Sequence, residues 1–210
     1  MTGKNSPAGE LLELPRLYLS RFDSPFPNPW QTAGIAQLTA TERVRLARID
    51  RPLRREQFVV GHCMLRRVLA DAGHVAATIE VDAEGRVLLR ARVPLFASIA
   101  HSASAVAVVV AGVPVGVDLE SMRPLRDPRA AAAMLGLPAE GAEDAASVLR
   151  AWVAAEARLK AGPAALAQVW RAPWERCQLA VAGAPYQPLA GVLDGITGIY
   201  NAVELEWEAV

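Results

Sequence analysis

The chain has 210 residues, 52% of them apolar and 21% charged, a composition that argues against disorder and allows a sizeable core in one domain or two small ones. Its 22 basic and 22 acidic residues cancel, so nothing in the overall charge points to nucleic acid or to an anionic membrane, and any basic patch must be local. Cys63 and Cys177 stand far apart with no metal-type spacing, which fits reduced structural thiols better than a disulfide framework.

The opening MTGKNSPAGE lacks the apolar core of a signal peptide, and the longest apolar run, Ala103 to Val117, is interrupted by Ser104, Gly112 and Pro114. A soluble cytoplasmic protein is the expectation. Leu14 to Leu19 reads as a first strand and the following SPFPNP as loop. A helix is predicted from Thr39: Thr39 and Glu42 have capping-box spacing, Val44, Leu46 and Ile49 supply apolar contacts, and Pro52 ends the element. A second helix follows, with Phe58, Met64, Leu65, Val68 and Leu69 as its stripe, Arg54, Arg55, Arg66 and Arg67 on other, solvated sides, and Gly73 at its close. Ile79 to Leu89 reads as a hairpin turning at Glu84-Gly85, with Arg86 leaving the turn. His101 stands just before Ala105 to Val110, the strongest strand signal in the chain.

Chemistry concentrates in the next stretch. In VPVGVDLE, Val115, Val117 and Leu119 alternate with Gly116, Asp118 and Glu120, so an extended chain places both carboxylates on one face, where they can share a cation. After a loop with arginines at 123, 126 and 129 comes a helix through RAWVAAEARLKAG. Val148, Trp152 and Leu159 follow helical spacing, and Glu156 falls where that stripe predicts a hydrophobe, with Lys160 one turn beyond it. Taken alone, D-x-E is most often a solvated strand edge and E-x-x-x-K a surface ion pair. The remainder, with Trp170, Trp174, a strand from Cys177 to Val181, the Gly-rich GVLDGITG and a last strand from Ala202 to Trp207, reads as an antiparallel β tail.

VGVDLE followed by WVAAEARLK resembles the paired motifs of the 4'-phosphopantetheinyl transferases of the surfactin type, G-[IV]-D-x-E and W-x-x-K-E-[AS]-x-x-K, with Ala155 where the pattern has Lys. LTATERVRLARI resembles the family's L-[ST]-x-x-E-x-x-R segment. Phe58 and Arg66 match the next helix while His62 replaces its usual Arg, Gly85 and Arg86 match G-[KR]-P, and Ser98 to Ser102 match S-[IL]-[SA]-H-S. The resemblance covers roughly Leu38 to Gly162.

Strand and helix order without a G-x-G-x-x-G gives an α+β class with antiparallel sheets. The resemblance implies two similar α+β halves, residues 1–111 and 112–210, packed as a monomeric pseudodimer with coenzyme A in the cleft and the metal site in the second half. It implies Mg²⁺ on Asp118, Glu120 and Glu156, Glu156 and Lys160 in catalysis, and Arg54, Arg86, His101, Ser102 and Lys160 toward coenzyme A. The implied reaction moves 4'-phosphopantetheine from coenzyme A to a serine of an acyl or peptidyl carrier protein and releases adenosine 3',5'-bisphosphate. Two alternatives stand beside it: a relative that binds coenzyme A or carrier without turnover, and an unrelated metal-dependent phosphate enzyme.

Overall fold

The computed structural model describes residues 15–21, 30–138, 142, 144–193 and 200–210. Leu14, the SPFPNP run, the end of MLGLPAE and the DGITG part of GVLDGITG lie outside the described residues.

The first half contributes β1 (Arg16–Arg21), α1 (Trp30–Gln37), α2 (Ala40–Ala47), α3 (Pro52–Asp71), β2 (Thr78–Val81), β3 (Val87–Arg90), β4 (Phe96–His101) and β5 (Ala105–Ala111). The second contributes β6 (Gly116–Ser121), α4 (Pro128–Met134), α5 (Ala145–Ala161), β7 (Leu166–Trp174), β8 (Cys177–Gly183), β9 (Leu189–Leu193), β10 (Tyr200–Val203) and β11 (Glu208–Ala209). The class is α+β. Pro52 does not end the helix begun at Thr39: α2 stops at Ala47, and Pro52, whose missing N–H is harmless in a first turn, opens α3. At its far end α3 closes on Gly73 (φ +79), with the Gly73 N–H bonded to the Ala70 carbonyl and the His74 N–H to that of Leu69.

One sheet runs β10-β9-β1-β5-β4, a second β11-β7-β8-β6, and β2-β3 form a separate hairpin. Pairing is antiparallel except at one place, where β9 lies parallel to β1, so the first sheet is mixed. β9 and β10 come from beyond residue 112 yet complete the sheet begun by β1. The expected strand from Ala202 to Trp207 is divided: β10 ends at Val203, residues 204–207 are not extended in a ladder, and β11 joins β7 on the other sheet.

Strand alternation sorts the side chains into layers. Leu17 and Leu19 of β1, Ala107 and Val109 of β5, Val117 and Leu119 of β6 and Leu179 and Val181 of β8 meet in one core between the sheets. The opposite faces carry helices. Tyr18, Val106, Val108 and Val110 pack on Val60, Met64, Leu65 and Val68 of α3, and Ala180 and Ala182 pack on Val153, Ala154 and Ala157 of α5. β4 and β6, each an edge strand of its sheet, lie against one another.

Candidate functional site

The seam between those two edges is where the expected residues gather. β6 has the alternation read from its sequence: Val117 and Leu119 enter the core, while Gly116 and Asp118 face α5. α5 approaches so closely that a Cβ on Gly116 would stand 2.1 Å from the Ala157 carbonyl oxygen and 2.5 Å from the Ala161 nitrogen. Only small side chains fit that approach, so α5 presents Ala157 and Ala161 there, while Val148, Leu149, Val153 and Ala154 complete its buried face. Of the expected stripe Val148 is buried, but the rest is corrected: Trp152 and Glu156 are half-buried on the flank, and Leu159 is 73% exposed.

The close approach lets Lys160, in the last turn of α5, reach β6. Its Nζ donates to Asp118 Oδ1 at 2.7 Å and to the Val117 carbonyl at 3.1 Å, in place of the expected pairing with Glu156 along the helix. Asp118 is 8% exposed, and its second oxygen, Oδ2, is buried with no donor. A carboxylate oxygen withdrawn from water without a partner is costly, and such atoms in native folds call for an explanation. Glu120, two residues on, has its pKa raised, first by burial and then by the charge of Asp118, with Glu156 adding to the rise and Arg123 and Lys160 opposing it. The three carboxylates therefore share one electrostatic neighbourhood. They do not form a cage: among the described residues no group of three or more His, Cys, Asp or Glu side chains is placed to hold a metal ion.

His101 ends β4 across the seam. Burial, then the charges of Arg54 and Lys160, push its imidazole down to about 4, so it is neutral near pH 7. Arg54 sits in the first turn of α3, fixed through neighbours: its Nη1 donates to Gln57 Oε1 at 3.3 Å, and Gln57 Nε2 donates to the Ser102 carbonyl at 2.5 Å. The pKa of Arg54 is lowered by burial and then by Arg45 and Arg51, cations not singled out by the sequence reading. The Arg45 guanidinium lies against the β2–β3 turn, where a Cβ on Gly85 would meet its Nη2 at 2.9 Å. Like charges drawn together beside a neutral histidine suit an anion with several negative oxygens. Arg45 falls on the arginine of the L-[ST]-x-x-E-x-x-R segment and Arg51 directly precedes Pro52, but spacing along the chain gives neither a role, because what brings them to Arg54 is the packing of one helix on another.

Two expected coenzyme contacts are otherwise engaged. Arg86 is exposed and pairs with Asp82 at 2.7 Å and Glu84 at 3.4 Å inside its own turn. The Ser102 hydroxyl turns inward to Cys177 Sγ at 3.6 Å. Beyond Glu120, Arg123, Arg126 and Arg129 are all exposed, the last in the first turn of α4. Neither a scan against protein-family models nor a search of curated proteins returns a match to this chain.

Proposed function

We propose that the chain is a 4'-phosphopantetheinyl transferase, taking coenzyme A and the serine of an acyl or peptidyl carrier protein and releasing adenosine 3',5'-bisphosphate. The observation that carries this reading is the buried, donorless Oδ2 of Asp118, beside a Glu120 whose ionisation is opposed by its surroundings. Both are hard oxygen donors suited to Mg²⁺, which takes one or two carboxylates and completes its shell with water and substrate phosphate oxygens, so a closed protein cage is not required. Asp118 and Glu120 would hold the ion, with Glu156 on the same side; when bound, it would neutralise charge on the pyrophosphate.

The other residues divide the remaining work. Arg45, Arg51 and Arg54 form the anion-accepting side, toward the phosphates of the coenzyme, and neutral His101 donates a hydrogen bond between that side and Lys160. Glu156, half-buried and reachable from solvent, takes the proton as the carrier serine attacks. The serine oxygen bonds to the phosphorus next to the pantetheine arm, the P–O bond to the bridging oxygen breaks, and its electron pair leaves with adenosine 3',5'-bisphosphate. Lys160, released from part of its contact with Asp118, steadies the leaving phosphate. The two helix-on-sheet layers, α3 with the first sheet and α5 with the second, support the reading of the fold as a pseudodimer with the cleft at the β4–β6 seam. The two buried free thiols suit a reducing cytoplasm.

Ala155, where the resemblance has Lys, favours a second reading in which the coenzyme is bound without turnover. Incubating the purified chain with apo carrier protein, coenzyme A and Mg²⁺, followed by intact mass of the carrier, separates the two. A gain of one phosphopantetheine that disappears with chelator supports transfer. Coenzyme A binding by calorimetry with no mass gain supports the second reading, and no binding at all removes both.

A further inference from the structure

Among the described residues the most completely buried charge lies away from the seam. α2 has two buried residues, Leu46, which packs on Val59 and Cys63, and Glu42, which is 0% exposed. Glu42 closes a capping box with Thr39, but a capping box works equally well on a surface and does not explain the burial. Its two oxygens are saturated. Oε1 accepts from His62 Nδ1 at 2.5 Å and Arg66 Nη1 at 2.9 Å, and Oε2 accepts from the Thr39 N–H at 2.6 Å and from Arg66 Nη2. His62 is itself clamped, its ring stacked on Phe58 at 4.1 Å between centroids. The other end of α2 is fixed as well, because Arg55 Nη1 donates to the Leu46 and Ile49 carbonyls at 2.7 and 3.2 Å.

A short, otherwise exposed helix is thus tied to α3 at both ends by charge-assisted bonds, which fix direction more tightly than apolar contact does. What α2 carries is Arg45, one turn after Glu42, with its guanidinium on Gly85 and its charge felt by Arg54. We propose that Glu42, gripped by His62 and Arg66, is the positioning residue that fixes α2 and thereby sets Arg45 beside Arg54 for the phosphates of the coenzyme. This rests on the coenzyme reading above. A glutamine at 42 keeps the size of the side chain but turns an N–H₂ toward groups that all donate, so the grip reverses at one oxygen position.

The test is calorimetric titration of coenzyme A into the unchanged protein, E42Q, H62N, R45Q and the double variant E42Q/R45Q, with transfer kinetics alongside. Glu42→Gln should weaken coenzyme A about tenfold, the scale on which groups behind a binding residue act, while kcat at saturating coenzyme is kept. Added to Arg45→Gln it should cost nothing more, because the residue it positions is gone. Melting at lower temperature with unchanged coenzyme affinity would make Glu42 merely structural and overturn the inference, as would equal losses with and without Arg45. If E42Q does not fold, His62→Asn decides on the same criterion: weaker binding only when Arg45 is present supports the proposal, and unaltered binding overturns it. Absence of binding by the unchanged protein overturns the coenzyme reading itself, and this inference with it.

Discussion

Glu42 and Asp118 are the two buried carboxylates among the described residues, and the fold treats them in opposite ways. Glu42 receives bonds on both oxygens from a backbone N–H, a histidine and an arginine, so that although burial pushes its pKa up, those donors outweigh it and hold the carboxyl at about 2. Asp118 receives Lys160 on one oxygen and nothing on the other. A saturated charge has no capacity left and can only build; one left half-saturated at a seam lined by Glu120, His101 and Lys160 has capacity to bind. The difference in donors, more than the difference in burial, separates the acid of the scaffold from the acid of the site.

Altering the two regions should sharpen that contrast. On the site side, Glu156→Ala should lower carrier loading by about 10²–10⁴-fold, the contribution of a positioned general base, with the melting temperature held because the side chain is only half-buried. Loading at near the unchanged rate with Mg²⁺ present would sink the assignment. On the scaffold side, Glu42→Ala should cost about 3–5 kcal/mol in urea unfolding by stranding Arg66 and His62, whereas Asp118→Asn should cost no more than about 1.5–3 kcal/mol, the worth of one charge-assisted bond. Equal costs would erase the distinction.

Acid should separate the regions by window. The folded pKa of His101, about 4, lies below its ordinary 6.5, so the unfolded chain takes up this proton first and stability falls as pH drops through that interval. For Glu42 the interval is 4.5 to about 2, again with loss toward acid. His101→Gln should flatten the upper part of the stability–pH curve and leave the lower part intact, as followed by melting temperature across a pH series. A smaller effect is expected at the rim: reversing Arg126 and Arg129 to Glu should raise the Michaelis constant for carrier severalfold and flatten its salt dependence, with that for coenzyme A unmoved. Carrier kinetics indifferent to salt in the unchanged protein would end that idea.

The strand carrying Asp118 was legible because a period of two is unambiguous when valine and leucine alternate with glycine and acids. The helix opposite was misread for a physical reason. Where helix and sheet approach to the limit set by Gly116, the buried face is made partly of alanine, and a reading that follows bulk picks Trp152 and Leu159, which the same closeness excludes. The capping box at Thr39 was equally plain, but local spacing says nothing of burial, and the depth of Glu42 comes from His62 and Arg66 on another helix. The antiparallel tail was half-visible: its strands announce themselves, yet the choice of β9 to lie parallel beside β1 is made by long-range pairing that no local pattern encodes.

That parallel pairing also bears on how the chain is made. β1 is flanked by β5 on one side, but its other edge has no neighbour until Leu189–Leu193 has been made. Until then a nascent chain carries a bare strand edge with buried-type residues Leu17, Tyr18 and Leu19 along it, a template for pairing with another nascent chain. Closing that edge is a long-loop event, among the slowest steps open to a fold of this size.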